Sequence, residues 1–242
     1  MGRKTIRITR KDGSPVVGQA VKFDMQKHEF LFGGGMFEAV EYASGEMSDP
    51  AKREAFERVF EKWIAIMNNA TLPFYWGRFE PVEGQPRTSQ TLAGAKFLKD
   101  HGVTLKGHPL CWHTVCADWL MKYPTDVILQ KQLARIRRDV ADFKGLIDMW
   151  DVINEVVIMP VFDKYDNAVT RICKQLGRVK TVREVFTAAR DTNPDATLLI
   201  NDFNLSQSYQ ILIDGCLNAG VPIDEIGLQA PQHQGYMGKE EL

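Results

Sequence analysis

The chain has 242 residues, with 30 Lys and Arg against 31 Asp and Glu and a formal net charge of −1. That balance gives nothing to attract nucleic acid or an anionic membrane surface, and no apolar run approaches the length of a membrane span. An apolar fraction of 44% and a charged fraction of 25% are those of an ordinary soluble globular protein with room for a sizeable core.

The charges of the opening Met1 to Arg10 have no hydrophobic stretch behind them, so they do not form a secretory signal if Met1 is the natural start. Ile6 to Thr9 alternates, Asp12-Gly13 is a turn signal, and Ala20 to Met25 alternates again. This pattern predicts a short β-ribbon over residues 1–29. From residue 30 to 242 the pattern becomes strand, loop, helix, repeated. Phe30 to Gly35 reads as a strand closed by glycines that match no phosphate-loop spacing. Asp49 as N-cap and Pro50 as first residue open a helix with Phe56, Val59, Phe60 and Trp63 on one face. Ile64 to Ala70 reads as the second strand.

Thr88 or Ser89 caps the next helix, and Gly102 stops it. Val103 to Leu110 is the third strand. Pro124-Thr125 opens a long amphipathic helix whose charged stretch Lys131 to Arg138 is expected to be solvated. Gly145 to Ile153 is the fourth strand. A helix from Thr181 to Arg190, a fifth strand from Thr197 to Asp202, a helix from Leu205 to Asn218 and a sixth strand from Ile223 to Gln229 follow. Six such units in succession predict a parallel sheet with helical crossovers. Polar residues cluster just past four strand ends: His108 to His113, Asn154-Glu155, Asn201-Asp202 and Gln229 to His233. That distribution favours an incomplete (β/α)8 TIM barrel over a doubly wound open sheet, whose site sits at one switch point.

The fourth strand carries the sharpest signal. It ends in Asn154-Glu155, an amide beside a carboxylate, with Asp148, Asp151 and Trp150 just before it. A carboxyl held near an indole and partly dried keeps its proton to higher pH and becomes a proton donor. The bland alternative is a solvated Glu155 that merely opens the next segment.

Five blocks extend the signal. Gly107-His-Pro-Leu-Cys-Trp-His113, Trp119-Leu120, Trp150-Asp-Val-Ile-Asn-Glu155, Ile200-Asn-Asp-Phe-Asn204 and Ile223-Asp-Glu-Ile-Gly-Leu-Gln229 stand in the order found in family 10 glycoside hydrolases, which the chain resembles from about Phe32 to Gln229. The resemblance implies an endo-acting, retaining hydrolase of β-1,4-xylan or a related plant polysaccharide, without cofactor or metal, that acts outside the cell or in the periplasm. It makes Glu155 the general acid/base and Asn154 the amide on the sugar 2-hydroxyl. His108, Trp112 and His113 line the glycone side, and Asn201 and Gln229 support the reacting centre. Such a mechanism sets a second, ionised carboxylate about 5–5.5 Å from the first. A cis bond is expected at His108–Pro109, where proline lowers the cost to about 0.5–1 kcal/mol.

The departures are as specific. Where the family has Glu-Asn and Lys before its Trp, this chain has Thr71, Leu72 and Tyr75 before Trp76. Tyr75, Trp76 and Arg78 are therefore expected to form a more aromatic sugar platform. Pro231 stands where the family has a His behind its nucleophile, and His233 lies two further on. The family nucleophile closes a seventh strand, whereas Glu240 and Glu241 sit in helix-start context with no strand before them. The chain reads as truncated, lacking the nucleophile, with two unpaired sheet edges and little or no activity of its own. The rival reading is a non-catalytic carbohydrate-binding protein that uses Phe74, Tyr75, Trp76, Trp112, Trp119 and Tyr236 as stacking surfaces. A metal site on His108, Cys111, His113 and Cys116 is disfavoured, because a strand puts 108 and 111 on opposite faces. Those two cysteines with Cys173 and Cys216 are too few for a disulfide framework.

Overall fold

The computed structural model describes residues 5–24, 26 and 28–230, in two compact units that divide after Phe30. In the first unit the Asp12-Gly13 turn forms: Asp12 accepts from the Ser14 amide at 2.9 Å and its hydroxyl at 2.7 Å, and Gly13 takes φ 84°. One antiparallel bridge, Thr9 to Pro15, closes it, and no strand is assigned among residues 5–24.

The second unit is a six-stranded, all-parallel half-barrel with strands in chain order. It runs β1 (Gly33–Gly35), α1 (Glu38–Ser44), α2 (Pro50–Ile64), β2 (Asn69–Pro73), α3 (Trp76–Phe79), α4 (Thr88–Asp100) and β3 (Thr104–His108). It continues with α5 (Thr125–Asp142), β4 (Met149–Asn154), α6 (Ala168–Leu176), α7 (Arg178–Thr192), β5 (Thr197–Asp202), α8 (Gln207–Asn218) and β6 (Glu225–Leu228). The helix starts follow the chemistry of their caps. Asp49 accepts from the Ala51 amide before Pro50, Asn167 accepts from the Thr170 amide, and Ser206 accepts from the Ser208 amide.

Several sequence expectations need correction. Helix α2 runs through Ile64 and the second strand starts only at Asn69. The continuous apolar run at Trp63 to Met67 has no period that separates helix from strand; only Trp63 and Ile64 are helical, Ile66 is exposed, and the helix is anchored by Phe56 and Phe60 on Phe97 of α4. Thr88 is the first helical residue of α4, and its buried hydroxyl makes no cap bond. Helices α1, α3 and α6 were absent from the sequence reading altogether.

The stretch Lys131 to Arg138 is not a solvated face. Gln132, Arg135 and Asp139 are buried, spaced to share one side of α5. Arg135 donates to the carbonyls of Phe74 and Leu110 (2.7 Å) and to Asp139 (3.0 Å), while Gln132 donates to Leu110 at 3.0 Å. A buried guanidinium thus ties together the chain just past β2 and just past β3, where Tyr75 and Trp112 emerge. His101 bonds the Phe97 carbonyl at 2.7 Å and packs edge-on against Phe60.

Strands β4 and β5 are almost wholly buried and centre the core. Trp150 fills the space opposite Gly107, where a Cβ would stand 2.2 Å from the indole, so only glycine lets β3 and β4 approach. At the sheet's two ends, Phe32, Ile226 (52%) and Leu228 (51%) remain exposed.

Candidate active site

Glu155 follows β4 directly and has φ 57°, one of two non-glycine residues among those described in the left-handed region. That conformation persists only where neighbours over-determine it, and it is enriched at working sites. Its amide donates to the Asn201 carbonyl at 2.8 Å, and its carboxyl accepts from the Trp112 indole at 2.7 Å. Burial pushes the Glu155 carboxyl above its usual range and the charge of Asp202 adds to this, while the Trp112 indole and Gln229 amide pull it back. The indole on Glu155 is therefore Trp112 and not Trp150, which lies in the core against Phe74 and Phe143 with its N–H on the Ile147 carbonyl. Asp148 is likewise structural, accepting from Gly145 and Asn193.

A register shift between Asp151 and Ile153 in the β4–β5 pairing changes which side chains face inward. Regular alternation would send 151 and 154 to opposite faces. With the shift, both reach the same mouth, as bulges beside sites commonly allow. Asn154 accepts there from the side-chain amides of Asn201 (2.8 Å) and Gln229 (2.7 Å). Two donors on its oxygen fix the amide's orientation and leave its NH2 to donate to a ligand hydroxyl.

His108 ends β3 with its Nδ1 2.6 Å from Asp151, whose same oxygen also binds Lys106 at 2.9 Å. Burial opposes charge on Asp151, but His108 and Lys106 outweigh it and hold the carboxyl below its usual range. The His108–Pro109 bond is cis. Beyond it the chain rejoins β4 through a Cys111–Ile153 bridge, which aims Trp112 at Glu155. Tyr75 closes the wall, 5.7 Å from both His108 and Trp112, with the Arg78 guanidinium 5.9 Å from its ring. Tyr75, Lys106, His108 and Asp151, with Thr71, Asn201 and Gln229, line a cavity of about 490 Å³.

Some candidates stand elsewhere. Trp76 is buried, packed edge-on against Trp119 and capped by Arg135, with its indole on Glu80, so it offers no platform. Phe74 and Leu72 are core residues, and Trp119 donates to the Glu80 carbonyl. His113 is buried behind Trp112 against Phe162, and burial pushes its pKa down to about 4. Tyr236, Pro231, His233, Glu240 and Glu241 lie outside the described residues. Sequence reasoning did not find Lys106, although its position two residues before His108 on one strand places both on one face. Among the described residues, no group of three or more His, Cys, Asp or Glu is arranged to hold a metal, and no helix is long and apolar enough to cross a membrane.

The model of glycosyl hydrolase family 10 matches residues 36–241. The chain belongs to this family. Among its family 10 relatives, the endo-1,4-beta-xylanase/feruloyl esterase of Xylanibacter ruminicola is 25% identical over 81% of this chain and 29% of its own length. Endo-1,4-beta-xylanase 3 of Hypocrea jecorina is 29% identical over 64% of this chain and 46% of its own. The solved family 10 structure from Paenibacillus barcinonensis superposes with a TM-score of 0.65 at 23% identity, covering 83% of this chain and 62% of that one. Xylanase 10B of Thermotoga petrophila RKU-1, solved with xylobiose, gives 0.64 at 20% identity, over 86% and 64%. This family 10 chain therefore spans less than two thirds of each of these proteins, and its six strands form an incomplete (β/α)8 barrel.

Proposed function

We propose that this chain carries the acid/base half of a retaining endo-1,4-β-xylanase. The observation that carries the reading is Glu155: half-buried, set in a left-handed turn at a strand mouth and bonded by Trp112 beside an oriented Asn154. In this reading Glu155 protonates the glycosidic oxygen as the bond breaks, then takes a proton from water to release the sugar. The Asn154 NH2 donates to the 2-hydroxyl, a bond that strengthens as charge develops at the anomeric carbon. His108, its Nδ1 on Asp151, presents the other ring nitrogen to the glycone, while Trp112 and Tyr75 give apolar faces for sugar rings. Asn201 and Gln229 act by fixing Asn154.

In this scheme the nucleophile is a second carboxylate beyond the described residues; among those described, Asp151 is paired with Lys106 and His108, and Asp202 accepts from the Val157 and Asn204 amides. Thr71, Leu72 and Tyr75 in place of three polar sugar ligands point to a glycone other than plain, unsubstituted xylose units. A polymer of that size is met outside the cytoplasm, which is where we place the reaction. The test is hydrolysis of β-1,4-xylan by a polypeptide that continues through the nucleophile strand, with the anomeric configuration followed by proton NMR. Initial release of the β-anomer supports the reading. Release of the α-anomer contradicts it, and binding without cleavage favours a carbohydrate-binding protein on the same scaffold.

A further inference from the structure

The left-handed turn at Glu155 needs something to hold it, and the peptide two residues on is held at both ends. The Val157 amide donates to Oδ2 of Asp202 at 3.0 Å, and the Val157 carbonyl accepts from Nε (2.8 Å) and Nη2 (2.7 Å) of Arg178. Asp202 closes β5 and is fully buried; its other oxygen accepts from the Asn204 amide at 2.9 Å. Arg178 is the first residue of α7. A cation there sits against the favourable sense of the helix dipole, and Arg178 spends two of its donors on a single carbonyl. Asp202 does not line the 490 Å³ cavity, and Arg178 lines a different one between α7 and α8.

We propose that Asp202 and Arg178 are positioning residues that hold the backbone of Val157, Asp202 at its amide and Arg178 at its carbonyl, and so lock Glu155 in its left-handed conformation beside the Asn201-Asp202 end of β5. Among the described residues, the groups that face Glu155 are few. His108 comes from β3, Tyr75 from beyond β2, the Trp112 indole from the loop after β3, and Gln229 from beyond β6. Asp151 on β4 is paired with Lys106 and hydrogen-bonded to His108. Asp202 adds its charge to the burial that raises Glu155, although burial raises Asp202 as well, and its contact with this segment is the Val157 amide. The inference rests on Glu155 being the proton donor, but it is read without substrate, so failure of the xylan reading would leave it untouched.

The experiment is a carbon-13 NMR titration of the carboxyl groups in the full 242-residue chain, comparing wild type with Asp202→Asn, Glu155→Gln and Arg178→Gln. Asp202→Asn should lower the Glu155 midpoint by about half a pH unit or more. Because coupling between two sites is reciprocal, Glu155→Gln should lower the Asp202 midpoint by a similar amount, a result that does not depend on Asp202→Asn folding. Arg178→Gln should leave the Glu155 midpoint high but speed hydrogen exchange at the Val157 amide at least about tenfold, as the turn loosens. Midpoints unmoved in Glu155→Gln, or Val157 exchange unchanged in Arg178→Gln, would overturn the proposal.

Discussion

On the proposed reading a single carboxyl, Glu155, sets the chemistry at the residue scale, and neighbours pull its protonation in opposite directions. A general acid works while it holds its proton, so activity is lost as pH rises through its pKa. The Trp112 indole bond favours the charged form. In a catalytically complete polypeptide, Trp112→Phe should therefore raise the Glu155 pKa and move the basic limb of the kcat/KM profile up by about half a pH unit or more. An unmoved or downward limb would count against the assignment. His113 gives a second, independent expectation. Its folded pKa is about 4 against an ordinary value of 6.5, so the unfolded chain takes up a proton between these values that the folded chain refuses. Stability should fall by about 2 to 3 kcal/mol as pH drops from 6.5 to 4 on this account. Urea denaturation of His113→Phe should show that part of the slope removed; an identical slope would assign it to other groups.

Elements decide which of these side chains meet. The blocks around His108, Glu155, Asn201 and Gln229 were legible in the sequence because each follows an apolar strand, and strand mouths are where a barrel gathers polar groups. What was not legible is how they aim. The register shift in β4 is a tertiary feature with no local signature, and without it Asp151 and Asn154 point apart. The same limit explains Trp150, assigned by proximity in sequence to Glu155 and found in the core, and Trp76, read as a platform and found buried beneath Arg135. Helix α5 looked solvated because charges usually are, whereas its buried Arg135 and Asp139 satisfy one another and three-dimensional neighbours unseen in a linear pattern. Strand β6 supports the amide chain through one glycine. A Cβ on Gly227 would stand 2.4 Å from Oδ1 of Asn201 and 2.9 Å from its Cβ. Gly227→Ala should displace Asn201 from Asn154, costing about 1–3 kcal/mol of stability and, in a catalytically complete polypeptide, about tenfold or more in kcat/KM. Wild-type values in both measurements would show that the chain Asn201–Asn154–Gln229 does not depend on this close approach.

Across the second unit, six parallel strands in chain order make an open half-barrel that holds Glu155 at the mouth of β4 against the Trp112 indole. The exposed Phe32, Ile226 and Leu228 mark the ends of the sheet where an eight-stranded barrel would continue. On the proposed reading the described half-barrel supplies a proton donor but no nucleophile, so the 242-residue chain should bind xylo-oligosaccharides without releasing reducing sugar. The central claim, that Glu155 is the proton donor, is tested most directly by leaving-group dependence in a polypeptide that includes the nucleophile strand. Glu155→Ala should slow hydrolysis of xylan, whose leaving group needs a proton, far more than that of an activated aryl xyloside, which does not. Equal losses on the two substrates would contradict it.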